Sequence, residues 1–209
     1  MVGDHVVAGT PIAWAWHRSA DHAPPEPGLR KAIRNSVQVG FERTMLQDVS
    51  FGIRRLVDIG NKALSPAVND PYTATQAVHH LSVILYTLAR RRLGDWLCRD
   101  EHGTVRVAMP FPGFADYLKL GTAQIRRFGA KEPAVARSLI QLLKNVGSST
   151  TSEDRRKACA RHLRLVLEDA KRETAQPADM ENLLADEAAA LSVLGADGPP
   201  TAPASQPTI

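Results

Sequence analysis

The sequence has few cysteines and aromatic residues, and it lacks long apolar runs. Its two cysteines, Cys98 and Cys159, form no CxxC pair, which excludes a disulfide scaffold and indicates a reducing compartment. Aromatic residues make up only 5% of the 209 residues. No uncharged apolar run approaches the ~20 residues that a membrane span needs, and no signal-peptide pattern opens the chain. We therefore expect no membrane-spanning helix within these residues.

Basic residues are absent from the last part of the chain. All 26 Lys and Arg lie in residues 1–172, together with 16 of the 22 acidic residues, so this part has a formal charge of +10. Residues 173–209 carry six acidic residues and no base. The basic body suits anionic lipid headgroups as well as nucleic acid. Because its arginine runs contain few interleaved aromatic residues, no nucleic-acid partner is expected.

Familiar catalytic and cofactor motifs are also missing. The sequence contains no Gly-rich phosphate loop, no GxSxG, no HExxH and no pair of carboxylates at a recognisable spacing. His79 and His80 are adjacent in a predicted helix, so they point about 100° apart and cannot together bind one metal ion. We expect neither a metal ion nor a cofactor.

What is present is mainly helical periodicity, with two short β-like stretches. Residues 3–16 are predicted as two strands around a Gly9-Thr-Pro11 turn, and residues 96–98 and 104–108 as a second hairpin. Apolar residues three and four positions apart predict helices over 29–39, 44–64, 71–93, 113–128, 133–146, 152–172 and 179–194. The predicted fold class is mainly α, a bundle of about six to seven helices with two small β-hairpins.

The predicted domain organisation has three parts. Residues 1–28 form a partial β-module and a linker, since Pro and Gly crowd the end of this stretch. Residues 29–194 form the helical domain. Residues 195–209 are rich in Pro, Ala, Ser and Thr without a periodic apolar face, which predicts a disordered tail.

The densest polar stretch lies in residues 41–74. Asp48 and Arg55 are seven residues apart and are predicted to share one face of the helix over 44–64. Asp58 is three residues from Arg55 and four from Arg54, so it can pair with either. One interpretation is a solvated face with weak ion pairs, and the other is a buried polar network or an anion site.

Two glycines, Gly52 and Gly60, lie inside the same predicted helix. Each costs about 1 kcal/mol relative to alanine in a helix interior. We therefore expect the backbone of another element to approach closely at both positions.

Asp70 stands before Pro71, a pattern typical of a helix N-cap and the first helical residue. The carboxylate is predicted to accept a hydrogen bond from the N–H of Tyr72 or Thr73. The alternative is that Asn69, Asp70 and Thr73 bind a ligand or a cation at the start of the helix. The cap is favoured because it needs no further group.

Three segments together carry a family resemblance, and they read Glu42-Arg-Thr-x-x-Gln-Asp48, Phe51-Gly-Ile-Arg-x-Leu-Val-Asp-Ile59 and Ala63-Leu-Ser-Pro-x-x-Asn-Asp-Pro71-x-Thr-Ala74. This signature resembles that of the bacterial predicted membrane proteins known as domain of unknown function 2254. The chain departs from the usual pattern at Arg55, where Gln is common, and at Gly60, where Ala is common. The polar signature residues that become candidates for a site are Glu42, Arg43, Thr44, Gln47, Asp48, Arg54, Arg55, Asp58, Asn69, Asp70 and Thr73.

The resemblance implies the C-terminal soluble portion of a membrane protein whose transmembrane N-terminal half is missing from this chain. The implied partner is the membrane, reached through that missing segment, and the domain is expected on its cytoplasmic side. The chain alone is expected to be soluble and cytoplasmic. Homo-oligomerisation is left open, and no ligand is implied.

Three functions follow from these observations. The favoured one is a non-enzymatic domain with a structural, ligand-sensing or gating role, because the signature lacks a nucleophile–base pair. The first alternative is a hydrolase-like enzyme that uses Asp48, Asp58 or Asp70 with His79. The second alternative is a basic nucleic-acid-binding domain, which predicts a steep salt dependence of binding.

Overall fold

The computed structural model describes residues 3–15 and 27–195 of the chain. The chain divides into two units, Met1–Asp48 and Val49–Ile209. This division lies later than the boundary predicted after residue 28, and the predicted three-part organisation stays a prediction. Most of the predicted linker and all but the first residue of the predicted disordered tail lie outside the described residues.

The first unit contains one helix, α1 (Pro27–Ser36), within its described part. The N-terminal hairpin is not found, since residues 3–15 form no strand. A turn forms over residues 7–10 instead of at Gly9-Thr-Pro11, because the N–H of Thr10 donates to the carbonyl of Val7 at 3.0 Å and Gly9 adopts a φ of +90°. Pro11 has no N–H for a ladder, and the flanking side chains are mostly exposed, so strand pairing gains too little.

The second unit is built from six described helices and one hairpin. The elements in chain order are α2 (Val49–Ala63), α3 (Pro71–Leu88), β1 (Trp96–Arg99), β2 (Val105–Met109), α4 (Phe114–Gly129), α5 (Pro133–Ser148), α6 (Glu153–Glu173) and α7 (Pro177–Gly195). Strands β1 and β2 pair antiparallel, with Trp96 opposite Met109 and Cys98 opposite Val107. The mainly α fold class is confirmed, with one hairpin rather than two in the described residues.

Helix α5 lies at the centre of the second unit and packs against α3, α4, α6 and α7. Because neighbours surround it, apolar residues are buried around most of its circumference rather than on one stripe. Helix α2 packs against α3 and α4 instead of against α5. The largest fully buried side chains of the core are Ile53, Leu81, Leu85, Leu118, Ile125, Leu139, Leu142, Leu143, Leu163, Leu167 and Leu183.

Helices α2 and α3 are both shorter than predicted. Helix α2 begins at Val49 instead of residue 44, because residues 41–47 are exposed and Asp48 is engaged in an ion pair with Arg43. Asp48 therefore lies outside the helix, and the predicted helical face shared with Arg55 does not exist. Helix α3 ends at Leu88, before the exposed arginines of residues 90–92.

The two helix glycines of α2 have different surroundings. A Cβ atom added at Gly60 would lie 3.1 Å from Cδ1 of Ile125 in α4, so the close neighbours are side chains rather than another backbone. A Cβ atom added at Gly52 would meet nothing within 4 Å. The expected close approach of another backbone is therefore wrong for Gly52, and at Gly60 the nearest atoms belong to the side chains of Ile125 and Ala77.

Candidate functional site

The start of α3 is organised by Asp70. Its Oδ1 accepts a hydrogen bond from the N–H of Thr73 at 3.0 Å, and its Oδ2 accepts one from the Thr73 hydroxyl at 2.5 Å. These two bonds hold the pKa of the Asp70 carboxyl below its ordinary value. The N–H of Asp70 donates in turn to the carbonyl of Ala63 at 2.8 Å, which closes the loop back onto α2. The predicted N-cap is confirmed, with Thr73 as its partner.

The loop between α2 and α3 depends on a left-handed residue. Asn69 has a φ of +48°, a conformation that asparagine tolerates better than most residues. Its N–H donates to the carbonyl of Ser65 at 2.9 Å. Asn69 itself is exposed. Its place in the signature therefore has a conformational explanation that needs no bound ligand.

In the first unit, Arg43 and Asp48 form a bifurcated ion pair. Both Nε and Nη2 of Arg43 donate to Oδ2 of Asp48, at 2.8 and 2.5 Å. The Asp48 side chain is 5% exposed and the Arg43 side chain 33% exposed. Gly3 lies against this pair, since an added Cβ atom there would lie 2.1 Å from Asp48 Oδ2. Gly3 also has a φ of +83°, so both its conformation and its surroundings require glycine.

The polar signature residues of α2, which are Arg54, Arg55 and Asp58, are exposed. The guanidinium of Arg55 lies 6.0 Å from the ring centroid of Phe51, one turn earlier in the helix. The predicted ion pairs of Asp58 with Arg54 and Arg55 are absent from the ion pairs of the described residues. Exposed pairs on a helix gain only about 0.3–0.5 kcal/mol, which barely offsets the ordering of two long side chains.

The candidate polar residues therefore do not form one cluster within either unit. Glu42, Thr44 and Gln47 are exposed in the first unit, beside the ion pair of Arg43 and Asp48. Among the candidate residues that the structure describes in the second unit, only Asp70 and Thr73 are joined to each other by hydrogen bonds. His79, the histidine of the enzyme hypothesis, is exposed on α3. Within the described ranges, no three His, Cys, Asp or Glu side chains are grouped as metal ligands.

Sequence reasoning missed a polar contact between α4 and α6. The Thr122 hydroxyl donates to the carbonyl of Leu118 at 2.7 Å, and Nδ1 of His162 lies 2.9 Å from the same oxygen. Since the hydroxyl hydrogen is already used, Nδ1 of His162 carries the hydrogen that bonds Thr122. Burial, followed by the charges of Arg126, Arg161 and Lys119, lowers the pKa of His162 to about 4.

A second missed contact lies on the same two helices. Arg126 of α4 donates to Asp169 of α6, with side chains that are 12% and 13% exposed, and Asp169 also accepts from Arg172. Nε of Arg126 is buried and has no partner among the described residues. Arg126 and Asp169 are 43 residues apart, so no local spacing points to this pair.

Cys159 offers no activated nucleophile in the described part of the chain. Both cysteines are free thiols, with Cys98 half-buried in β1 and Cys159 buried in α6. Burial raises the pKa of the Cys159 thiol to about 12. A thiol in that state is protonated at neutral pH and is a poor nucleophile.

Comparison with known proteins assigns the chain to a family for which no activity is given. The family described as "Predicted membrane protein (DUF2254)" matches residues 1–145. The chain is 43% identical over 198 residues to the uncharacterized proteins Rv1290c of Mycobacterium tuberculosis and Mb1321c of Mycobacterium bovis. The matched segment covers 95% of this chain and 38% of each relative, so the chain spans about two fifths of the length of the curated relatives it matches.

No solved structure gives a significant match to the chain. Among the described residues, no helix combines the length and the apolar character that crossing a membrane requires. The family match covers the whole polar signature, including the ion pair of the first unit and the Asp70 cap of the second. On that match and on the identity to the mycobacterial proteins, the chain belongs to the DUF2254 family of predicted membrane proteins.

Proposed function

We propose that this chain is a non-enzymatic part of a membrane protein, and that its polar signature serves local structure rather than chemistry. In this proposal the signature sets the turn into α3 and the chain before α2. The helical unit then acts through packing, through assembly with further copies or through ligand-dependent gating of the rest of the protein. The observation that carries the proposal is the occupied carboxylate of Asp70, which already accepts two hydrogen bonds from Thr73.

The chemistry of these groups supports a structural role. A general base works best with a pKa near the operating pH, but the pKa of Asp70 is lowered from an already acidic value by its bonds to Thr73. Asp48 is bound by Arg43, whose guanidinium occupies one of its oxygens. Asp58 and His79 are exposed on α2 and α3 in the described part of the chain, whereas a catalytic carboxylate or imidazole works best where water is excluded.

The proposed placement follows from the family and from charge. We place the chain next to the membrane on the cytoplasmic side, because residues 1–172 carry a formal charge of +10 and the cytoplasmic leaflet is anionic. The remaining three fifths of the relatives' length, which this chain does not match, would supply the membrane attachment in this proposal. This proposal is also compatible with assembly of the chain into homo-oligomers.

The test compares wild type with Asp70→Ser, Asp70→Ala and His79→Gln. Serine is a good N-cap but cannot act as a carboxylate base. We expect Asp70→Ser to keep most of the thermal stability that Asp70→Ala loses. We also expect no turnover above buffer for any of the four proteins on p-nitrophenyl esters, phosphates and glycosides. Turnover by wild type that Asp70→Ser and His79→Gln both abolish would overturn the non-enzymatic assignment.

A further inference from the structure

The hairpin β1–β2 has no packing partner among the other described elements, because each strand contacts only its neighbour. Adjacent residues of a strand point to opposite faces, yet Trp96 and Leu97 are 58% and 42% exposed. On the other strand, Val105 and Val107 are 40% and 49% exposed. A sheet that packs on one face buries every second side chain. Neither face of this hairpin is therefore covered.

The hairpin is held in shape by its own turn. Asp100 accepts hydrogen bonds from the N–H groups of His102 and Thr104 at 3.0 and 2.9 Å, and from Nε of Arg106 at 2.7 Å. Although burial opposes ionisation, these bonds together hold the pKa of Asp100 below its ordinary value. Gly103 closes the turn with a φ of +76°. Since isolated hairpins are marginal in water, this network explains how the hairpin forms without help from the bundle.

An arginine cluster, residues 90–92, lies between α3 and the hairpin. All three arginines are exposed, and the guanidinium of Arg90 lies 5.9 Å from the ring centroid of Tyr86, which is itself exposed. Residues 90–106 contain five arginines and three acidic residues, a net charge of +2. Exposed aromatic and aliphatic side chains next to positive charge are typical of elements that lie at an anionic membrane surface.

We propose that the hairpin β1–β2 and the arginine cluster dock onto anionic phospholipid headgroups, with Trp96 in the interfacial region. The charge is complementary to the lipid, and tryptophan favours this region because its ring is amphipathic. One face of the hairpin carries Trp96 opposite Met109 and Cys98 opposite Val107, whereas the other carries Leu97 with the exposed Arg99 and Arg106. A lipid surface offers both an apolar interfacial region and anionic groups, which suits such a mixture. The inference rests on the proposed function, since the lipid is the membrane beside which the chain is placed.

The first experiment uses Trp96 as a local reporter in the full chain. The sequence contains three tryptophans, so Trp14→Phe/Trp16→Phe leaves Trp96 alone, and Trp16→Phe/Trp96→Phe leaves Trp14 alone as a matched control. Vesicles of phosphatidylcholine with phosphatidylglycerol are expected to shift Trp96 emission to the blue and to protect it from acrylamide. Pure phosphatidylcholine vesicles are expected to leave the Trp96 emission unchanged. The emission of the Trp14 reporter is expected to stay unchanged with either lipid.

The second experiment measures cosedimentation with the anionic vesicles. Changing Arg90, Arg91 and Arg92 together to glutamine is expected to weaken partitioning by about 10- to 100-fold. The control removes three exposed cations of α6, by Arg161→Gln/Arg164→Gln/Lys171→Gln, and is expected to have a much smaller effect. Trp96→Ala is expected to weaken partitioning without lowering the melting temperature, because the side chain is exposed.

Three results would overturn the lipid assignment. The first is an unchanged Trp96 emission with anionic vesicles, and the second is an equal shift with neutral lipid or at Trp14. The third is a blue shift without vesicles that grows with protein concentration together with a dimer in sedimentation, which would identify a second copy as the occupant. None of these results bears on the turnover measurements with wild type, Asp70→Ser, Asp70→Ala and His79→Gln. The failure of the lipid assignment and that of the non-enzymatic role are therefore distinguishable.

Discussion

Nδ1 of His162 donates a hydrogen bond to the Thr122 hydroxyl at 2.9 Å and so ties α6 to α4 across 40 residues of sequence. The imidazole is held neutral there, because burial and the charges of Arg126, Arg161 and Lys119 all oppose a proton. This position makes His162 a buried group whose titration is linked to folding.

Acid should destabilise the second unit through His162. Its pKa is about 4 in the folded chain and near 6.5 in the unfolded chain, so the unfolded state binds the proton first. Stability is therefore expected to fall as the pH drops from about 6.5 towards 4. His162→Asn should flatten this slope, whereas the exposed His79→Asn should keep it. Urea unfolding between pH 7.5 and 4.5 measures both, and parallel slopes would contradict the prediction.

The Asp70 cap should contribute to thermal stability. Asp70→Ala removes both acceptors of Thr73 and is expected to lower the melting temperature by about 2–4 °C. Because the pKa of Asp70 is lowered in the folded state, the stabilisation of the charged cap is present above about pH 4 and is lost below it. Differential scanning calorimetry at pH 7 and pH 3 tests this, with a smaller difference between wild type and variant expected at pH 3.

Asp48→Ala should destabilise the chain more than a surface change does. Arg43 would lose its carboxylate partner, at an expected cost of about 1.5 kcal/mol in the free energy of unfolding. This lies at the low end of the range for charged hydrogen bonds because a third of the Arg43 side chain is exposed. Asp58→Ala, on the exposed face of α2, is the matched control and should stay within about 0.5 kcal/mol of wild type. Equal values for the two variants in urea unfolding would argue against a structural ion pair.

Gly3→Ala should open the ion pair of the first unit. Both Gly3→Ala and Gly9→Ala place alanine at a left-handed φ, but only at Gly3 does the new Cβ atom collide with Asp48 and Arg43. Trypsin cleaves after arginines whose side chains enter its binding pocket, so the rate of cleavage after Arg43 reports on the ion pair. We expect several-fold faster cleavage for Gly3→Ala than for Gly9→Ala. The same rate in both variants would mean that the backbone conformation alone matters.

Gly52→Ala should stabilise α2. A methyl group at Gly52 meets no atom within 4 Å, so only the helix-propensity gain of about 0.5–1 kcal/mol remains. Gly60→Ala carries the same gain but brings its Cβ atom 3.1 Å from Ile125. We expect a higher melting temperature for Gly52→Ala and none of this gain for Gly60→Ala. A loss of stability at Gly52 would point to a contact on the outer face of α2.

Local chemistry explains why much of the architecture was predictable. Seven helices were predicted from apolar spacing, and the hairpin of residues 96–109 from its alternation and turn residues. The Asp70 cap also follows from its neighbours in sequence, because its donor is three residues away. Such features need only interactions within a few residues, and these are visible in the order of the amino acids.

The features that only the tertiary structure decided depend on contacts between residues far apart in the sequence or on which side chains become buried. Asp48 is buried in an ion pair with Arg43, where the first turn of α2 was predicted. Residues 3–15 form no strand, because their side chains stay mostly exposed and gain nothing from alternation. His162 meets Thr122, and Arg126 meets Asp169, only because α4 and α6 pack together. Likewise, alternation predicted the strands of the hairpin, but only the packing of the chain determined that Trp96 stays exposed.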